Sequence, residues 1–112
     1  MIIKKTKALK ALSIPGVFTP TEIANAYDVG ADYVKIFPAG ELGPNYIKTV
    51  RGPISHIPML AVGGINKENI KDYLSVGIEG VGIGSNIVDR NLIDQGKFEE
   101  LTKLAKEYTE QI

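Results

Sequence analysis

One lysine and two glycine-led pairs carry the chemistry this sequence could perform. Lys35 lies at the middle of Asp32-Tyr33-Val34-Lys35-Ile36-Phe37-Pro38, a run of β-branched and aromatic residues that Pro38 stops. Alternation along such a strand puts Tyr33, Lys35 and Phe37 on one face and Val34 and Ile36 on the other. Both faces are expected to be buried, which makes the ammonium the exception, since desolvating a charge is costly. A dry setting lowers a lysine pKa, and a neutral amine attacks a carbonyl to form a Schiff base. A plainer role also fits: the stem buried at a strand end, the head in water.

Gly63-Gly64 and Gly84-Ser85 each follow an apolar run, at 57–62 and 80–84. Glycine lets backbone approach a ligand closely, and free N–H groups at a helix start favour an anion. Tight strand-to-helix turns explain either pair alone. Recurrence at the same end of successive strands favours phosphate, which β/α barrels commonly hold at the ends of their last two strands.

The elements that must position these residues alternate along the chain. Residues 1–12 carry Ile2, Ile3, Thr6, Leu9 and Leu12 near helical spacing, with no capping residue before them, like a helix without its natural beginning. A bent or edge strand at 13–19 contains Pro15 and Gly16. Thr19-Pro20-Thr21-Glu22 starts a helix that Gly30 ends, and the lysine strand follows. Gly40 and Gly43-Pro44 are expected to form a turn before a helical segment at 45–50. A strand at 57–62 leads to a helix over 67–76, capped by Asn66 and terminated by Gly77. A glycine-rich strand at 80–84 precedes a last amphipathic helix at 97–111, with Phe98, Leu101, Leu104, Ala105 and Tyr108 on one face. Four strand–helix units predict an α/β protein with a parallel sheet, half of an eight-stranded β/α barrel.

Composition narrows the classes. At 112 residues, 44% apolar and 23% charged, the chain suits one globular domain. Thirteen acidic residues offset thirteen basic ones, so no net field draws nucleic acid or an anionic membrane. Without cysteine there is no disulfide, thiol catalysis or cysteine-bound zinc, and the lone His56 has no second histidine as a metal partner. No apolar run approaches the roughly 18 residues of a membrane span and no signal-peptide pattern opens the chain, so a soluble, cytoplasmic protein is expected.

Taken together, Ile14-Pro15-Gly16-Val17, Thr19-Pro20, Val34-Lys35-Ile36-Phe37-Pro38, Gly43-Pro44, Gly63-Gly64-Ile65 and Gly82-Ile83-Gly84-Ser85 carry a resemblance. In order and spacing they resemble the C-terminal half of the 2-keto-3-deoxy-6-phosphogluconate aldolases, which overlap with the 4-hydroxy-2-oxoglutarate and 6-phosphogalactonate aldolases. The resemblance covers essentially all 112 residues. It implies a single half-barrel domain over 1–112, corresponding to family strands five to eight. It also implies a class I aldolase, without cofactor, that cleaves a phosphorylated 2-keto-3-deoxy sugar acid to pyruvate and glyceraldehyde 3-phosphate. Lys35 would be the Schiff-base lysine. Phe37, beside Pro38, would pack against the pyruvate moiety, and Gly63, Gly64, Gly84 and Ser85 would hold the phosphate.

Two departures stand out. Gluconate-type members have threonine before the double glycine; Val62 stands there and, with Gly43-Pro44-Asn45-Tyr46, resembles the phosphogalactonate branch. No residue matches the family's general acid/base glutamate or its carboxylate-binding arginine, and Glu22 and Glu41 are the nearest acids to the strand ends. The alternative is a non-catalytic, phosphate-binding half-barrel that acts as an assembly unit. A thiamine-phosphate-synthase-like half-barrel ranks last, because it explains the glycines but not the lysine. Four parallel strands leave two edges and an inner face holding Tyr33, Phe37, Leu60 or Val62, and Val81 or Ile83. A homo-oligomer is therefore expected, most simply two copies closing one pseudo-barrel.

Overall fold

The computed structural model describes residues 1–112. Its elements are α1 (Ile2–Ala8), β1 (Gly16–Val17), α2 (Pro20–Asp28), β2 (Val34–Ile36), α3 (Ala39–Leu42), α4 (Pro44–Arg51), β3 (Met59–Val62), α5 (Ile70–Ser75), β4 (Gly80–Gly82), α6 (Arg90–Asp94) and α7 (Phe98–Thr109). The four strands pair in parallel in the order β1-β2-β3-β4, so β1 and β4 are the edges. This is the expected α/β architecture. Every strand ends on the same side of the sheet, which brings Phe37, Gly63 and Gly84 to one rim.

Burial divides the two faces of the sheet. Val17, Val34, Ile36, Met59 and Ala61 are buried, and they share one core with Ile23 and Ala26 of α2, Ile47 and Val50 of α4, and Ile70 and Tyr73 of α5. The alternating residues Lys35, Leu60 and Val62 are only partly covered. Gly16, Lys35, Leu60 and Gly80 form one row across this open face. The expected burial of both faces of the lysine strand is therefore corrected, because helices cover one side only. Val81 is corrected too: it pairs with Ala61 in the row of the covered face, while Gly80 and Gly82 stand opposite Leu60 and Val62. Space explains the glycines. A Cβ on Gly82 would fall 2.8 Å from Val62 Cγ2, and one on Gly80 would fall 3.3 Å from Leu60 Cδ2.

Local chemistry accounts for several helix ends. Thr19 caps α2: its hydroxyl accepts the Glu22 N–H at 3.3 Å while Glu22 Oε1 accepts the Thr19 N–H at 3.0 Å. Gly30, just past α2, has φ +107°, the left-handed geometry that stops a helix without strain. Pro44 opens α4 directly after Gly43.

Elsewhere the elements differ from expectation. α1 ends at Ala8 rather than 12, ahead of Lys10 at φ +58°. The segment after Pro38 forms the one-turn helix α3 rather than a plain turn. Asn66 does cap, with Oδ1 accepting the N–H groups of Glu68 and Asn69, but it caps a turn, and regular helix begins only at Ile70. α6 was not anticipated, since five residues show no period; the Asp89 carboxylate holds it by accepting the Asn91 and Leu92 N–H groups. In α7 only Tyr108 of the anticipated apolar face is buried, and Phe98 is exposed.

Candidate active site

Lys35 of β2 and Phe37, just past its end, meet on the open face, with Lys35 Nζ standing 4.9 Å from the centroid of the Phe37 ring. A cleft of about 260 Å³ surrounds them, walled by Gly16, Val17 and Phe18 of β1 and its end and by Glu22 of α2. Lys35 is half-buried and belongs to none of the three ion pairs of the fold. The far wall is fixed twice. Tyr46 donates its hydroxyl to the Phe18 carbonyl at 2.6 Å, and Glu22 Oε1 is held by the Thr19 N–H and hydroxyl. Glu41, in α3, does not line this cleft.

Phe37 also walls a second cleft of about 230 Å³, which is lined by Val62, Gly63, Gly64, Gly84 and Ser85 together with Ile65, Gly82, Ile83 and Asn86. Two loops make it. Gly64 has φ +73°, and a Cβ there would fall 3.0 Å from Gly40 Cα, so the loop after β3 and the start of α3 touch backbone to backbone. The Gly40 N–H donates to the Gly63 carbonyl at 2.7 Å across the same contact. Gly84 is different: a Cβ there would meet nothing within 4 Å. Asn86 Nδ2 donates to the Ile65 carbonyl at 2.8 Å and joins the loop after β4 to the loop after β3. Asn69 Nδ2 donates to the Gly64 carbonyl at 2.9 Å from below.

The backbone N–H groups of Gly64, Ile65, Gly84, Ser85 and Asn86 donate to no other group of the protein. All five of these residues line this one cleft.

The structure thus brings together seven of the eight residues singled out from the sequence, with Phe37 common to both clefts. Pro38 lines neither cleft; it joins Phe37 through a cis peptide bond and precedes α3. Gly16, Phe18, Gly40, Tyr46, Asn69 and Asn86 were missed as site residues, while Glu22, noted from the sequence as an acid near a strand end, lines the lysine cleft. Asn86 had a legible signal, since an amide directly after Gly84-Ser85 is placed to bind a neighbouring loop. The others depend on which strands become neighbours. No three histidine, aspartate or glutamate side chains gather into a metal-binding group.

The chain has recognisable relatives. The family described as "Aldolase: KDPG and KHG aldolase" matches residues 1–104. A probable 2-dehydro-3-deoxy-6-phosphogalactonate aldolase of Rhizobium meliloti (strain 1021) is 38% identical over 87 residues, 77% of this chain and 41% of the relative. The 2-dehydro-3-deoxy-6-phosphogalactonate aldolase of Escherichia coli (strain K12) is 30% identical over 112 residues, 99% of this chain and 55% of the relative. Among solved structures, one titled "Native KDPGal structure" superposes with a TM-score of 0.84 at 31% identity, over 98% of this chain and 54% of that chain. The chain spans about half the length of these relatives.

Proposed function

Because the chain belongs to the KDPG and KHG aldolase family, we propose that Lys35 forms a Schiff base with a 2-keto-3-deoxy-6-phospho sugar acid. The products of cleavage are pyruvate and glyceraldehyde 3-phosphate. One observation carries this reading: the amine cleft and the ring of free N–H groups lie side by side at the rim of the sheet, with Phe37 between them. A substrate with a ketone near one end and a phosphate at the other fits that pair.

In this reading the Lys35 nitrogen bonds to C2, and the carbonyl oxygen takes up protons and leaves as water, giving an iminium. A base removes the C4 hydroxyl proton. The C3–C4 bond breaks, its electrons pass to C3 and into the iminium, and the aldehyde departs. Protonation at C3 followed by hydrolysis returns free Lys35 and pyruvate. Phe37, with Pro38 behind it, flanks the pyruvate portion; Gly63, Gly64, Gly84 and Ser85 hold the phosphate through backbone N–H groups. Val62 beside this cleft, and relatives named for phosphogalactonate, favour the galactonate-type sugar acid.

We read residues 1–112 as one half-barrel unit that self-associates through its open face. No residue among 1–112 matches the family's acid/base glutamate, so the base that takes the C4 hydroxyl proton is not assigned to any of them. The open face favours a second reading, a phosphate-binding assembly unit without catalysis. Reduction with borohydride in the presence of pyruvate separates the two: hydride adds to C2 of an iminium and leaves a stable secondary amine. An adduct mapped to Lys35 supports the aldolase reading, and its absence at saturating pyruvate leaves the assembly reading.

A further inference from the structure

Gly63 is the one residue of the double glycine whose missing side chain is replaced by another side chain. A Cβ built on Gly63 would fall 2.9 Å from Phe37 Cε2 and 3.0 Å from Cδ2, whereas at Gly64 the nearest atoms belong to the Gly40 backbone. The ring that rests on Gly63 is the ring whose face meets Lys35 Nζ at 4.9 Å. Phe37 itself is half exposed, so packing from solvent-side neighbours does not fix it.

We propose that Gly63 is a positioning residue for Lys35, acting through the Phe37 ring. This rests on the Schiff-base reading and assigns Gly63 a task separate from anion binding. The nitrogen gains positive charge as amine becomes iminium, and the face of an aromatic ring favours a cation placed over it. The ring also limits where the nitrogen can go on a flexible four-carbon stem, which matters because attack on C2 requires close alignment. A side chain at residue 63 would push the ring off this position and loosen the amine, even with the phosphate donors intact.

The test is the rate of borohydride-trapped pyruvate adduct on Lys35 at saturating pyruvate, read by peptide mass spectrometry on folded protein. Phe37→Leu is expected to slow it about three- to thirtyfold, the span of a cation–π contact from half-exposed to desolvated. Phe37→Tyr keeps the ring face and should recover most of the rate that Phe37→Leu loses. Gly63→Ala should also slow trapping, and Gly63→Ala combined with Phe37→Leu should be no slower than the slower single variant, because both act on one contact.

Alanine at φ +93° carries strain of its own. The Phe37 pair therefore decides the matter if Gly63→Ala does not fold: an unchanged rate in Phe37→Leu overturns the proposal. Multiplying losses in the double variant also overturn it, since they assign Gly63 a purely local role in the turn. An original chain that traps no pyruvate removes the Schiff-base reading and this proposal together. Trapping without dependence on Phe37 removes only the proposal.

Discussion

Tyr73 donates its hydroxyl to the carbonyl oxygen of Ala39 at 2.8 Å, linking α5 to the residue that follows Phe37-Pro38. Both residues are buried, at 2% and 0% exposure, so neither group can turn to water instead. Tyr73→Phe removes one of the two hydrogen bonds to the Ala39 carbonyl, which the Gly43 N–H still donates to at 2.9 Å, at a cost of about 0.5–1.5 kcal/mol. Urea unfolding should show a lower midpoint with unchanged slope. Burial also raises the Tyr73 pKa above its ordinary value of 10.0. The neutral phenol is thus favoured in the fold. Its contribution is complete below pH 10 and is lost as pH rises through the raised value, a fall that Tyr73→Phe should remove.

Asp32 joins α1 to the sheet, with Oδ1 accepting from Lys7 Nζ at 2.6 Å and Oδ2 from the Ser13 N–H at 2.8 Å. The Lys7 hydrogen bond first, and then the Ser13 bond, lower its pKa below the ordinary 3.8. A lowered carboxylate stabilises above its unfolded pKa and loses that contribution as pH falls through the folded value. Asp32→Asn should therefore flatten the acid limb of the stability profile below about pH 4. An identical acid limb in the variant would assign the acid sensitivity to other carboxylates.

Lys35→Ala should abolish pyruvate trapping while leaving unfolding nearly unchanged, because it removes a half-buried amine rather than a core group. Lys35→Arg should be equally inactive, since guanidinium stays protonated and forms no imine. Covalent capture at residue 35 in neither variant, with capture elsewhere on the chain at the original rate, would sink the assignment.

Gly84 and Gly64 should separate when each is replaced by valine. Gly84 has free space at its Cβ position, so Gly84→Val should fold and weaken inorganic phosphate about tenfold, or about 1.4 kcal/mol, by obstructing backbone approach. Gly64→Val meets Gly40 Cα at 3.0 Å with φ +73°, and should destabilise the whole unit. Titration calorimetry with phosphate and thermal melts measure the two effects. Undiminished phosphate binding in folded Gly84→Val would leave that loop a structural role alone.

The open face and the free edges should drive self-association. Phe18 is 44% and Phe37 50% exposed on that face, and Met1, Ile2, Leu12 and Ile14 form an apolar cleft beside the β1 segment. Exposed edges and apolar surface of this kind pair with other chains. Sedimentation at micromolar concentration should find a dimer or larger species. A compact, stable monomer would count against it.

Much of this was legible from local chemistry. Hydroxyl, proline and acid at Thr19-Pro20-Glu22 dictate a helix start, Gly30 and Gly77 dictate stops, and the short apolar runs between them leave room only for strands. Such signals act within a few residues, so strand–helix order and the position of Lys35 on β2 could be read along the chain. The family motifs depend on spacing alone and were legible for the same reason. Which face of each strand is covered could not be read, because Lys35, Leu60 and Val62 remain half open only through the absence of a layer over them. The tasks of the glycines were hidden as well. Gly63 faces the Phe37 ring, Gly64 faces Gly40 and Gly84 faces open space, yet in sequence they are interchangeable turn residues. Those differences arise from approaches between β2, β3 and β4 that bring residues about 20–26 apart into contact, and no local preference encodes the distance at which two loops come to rest.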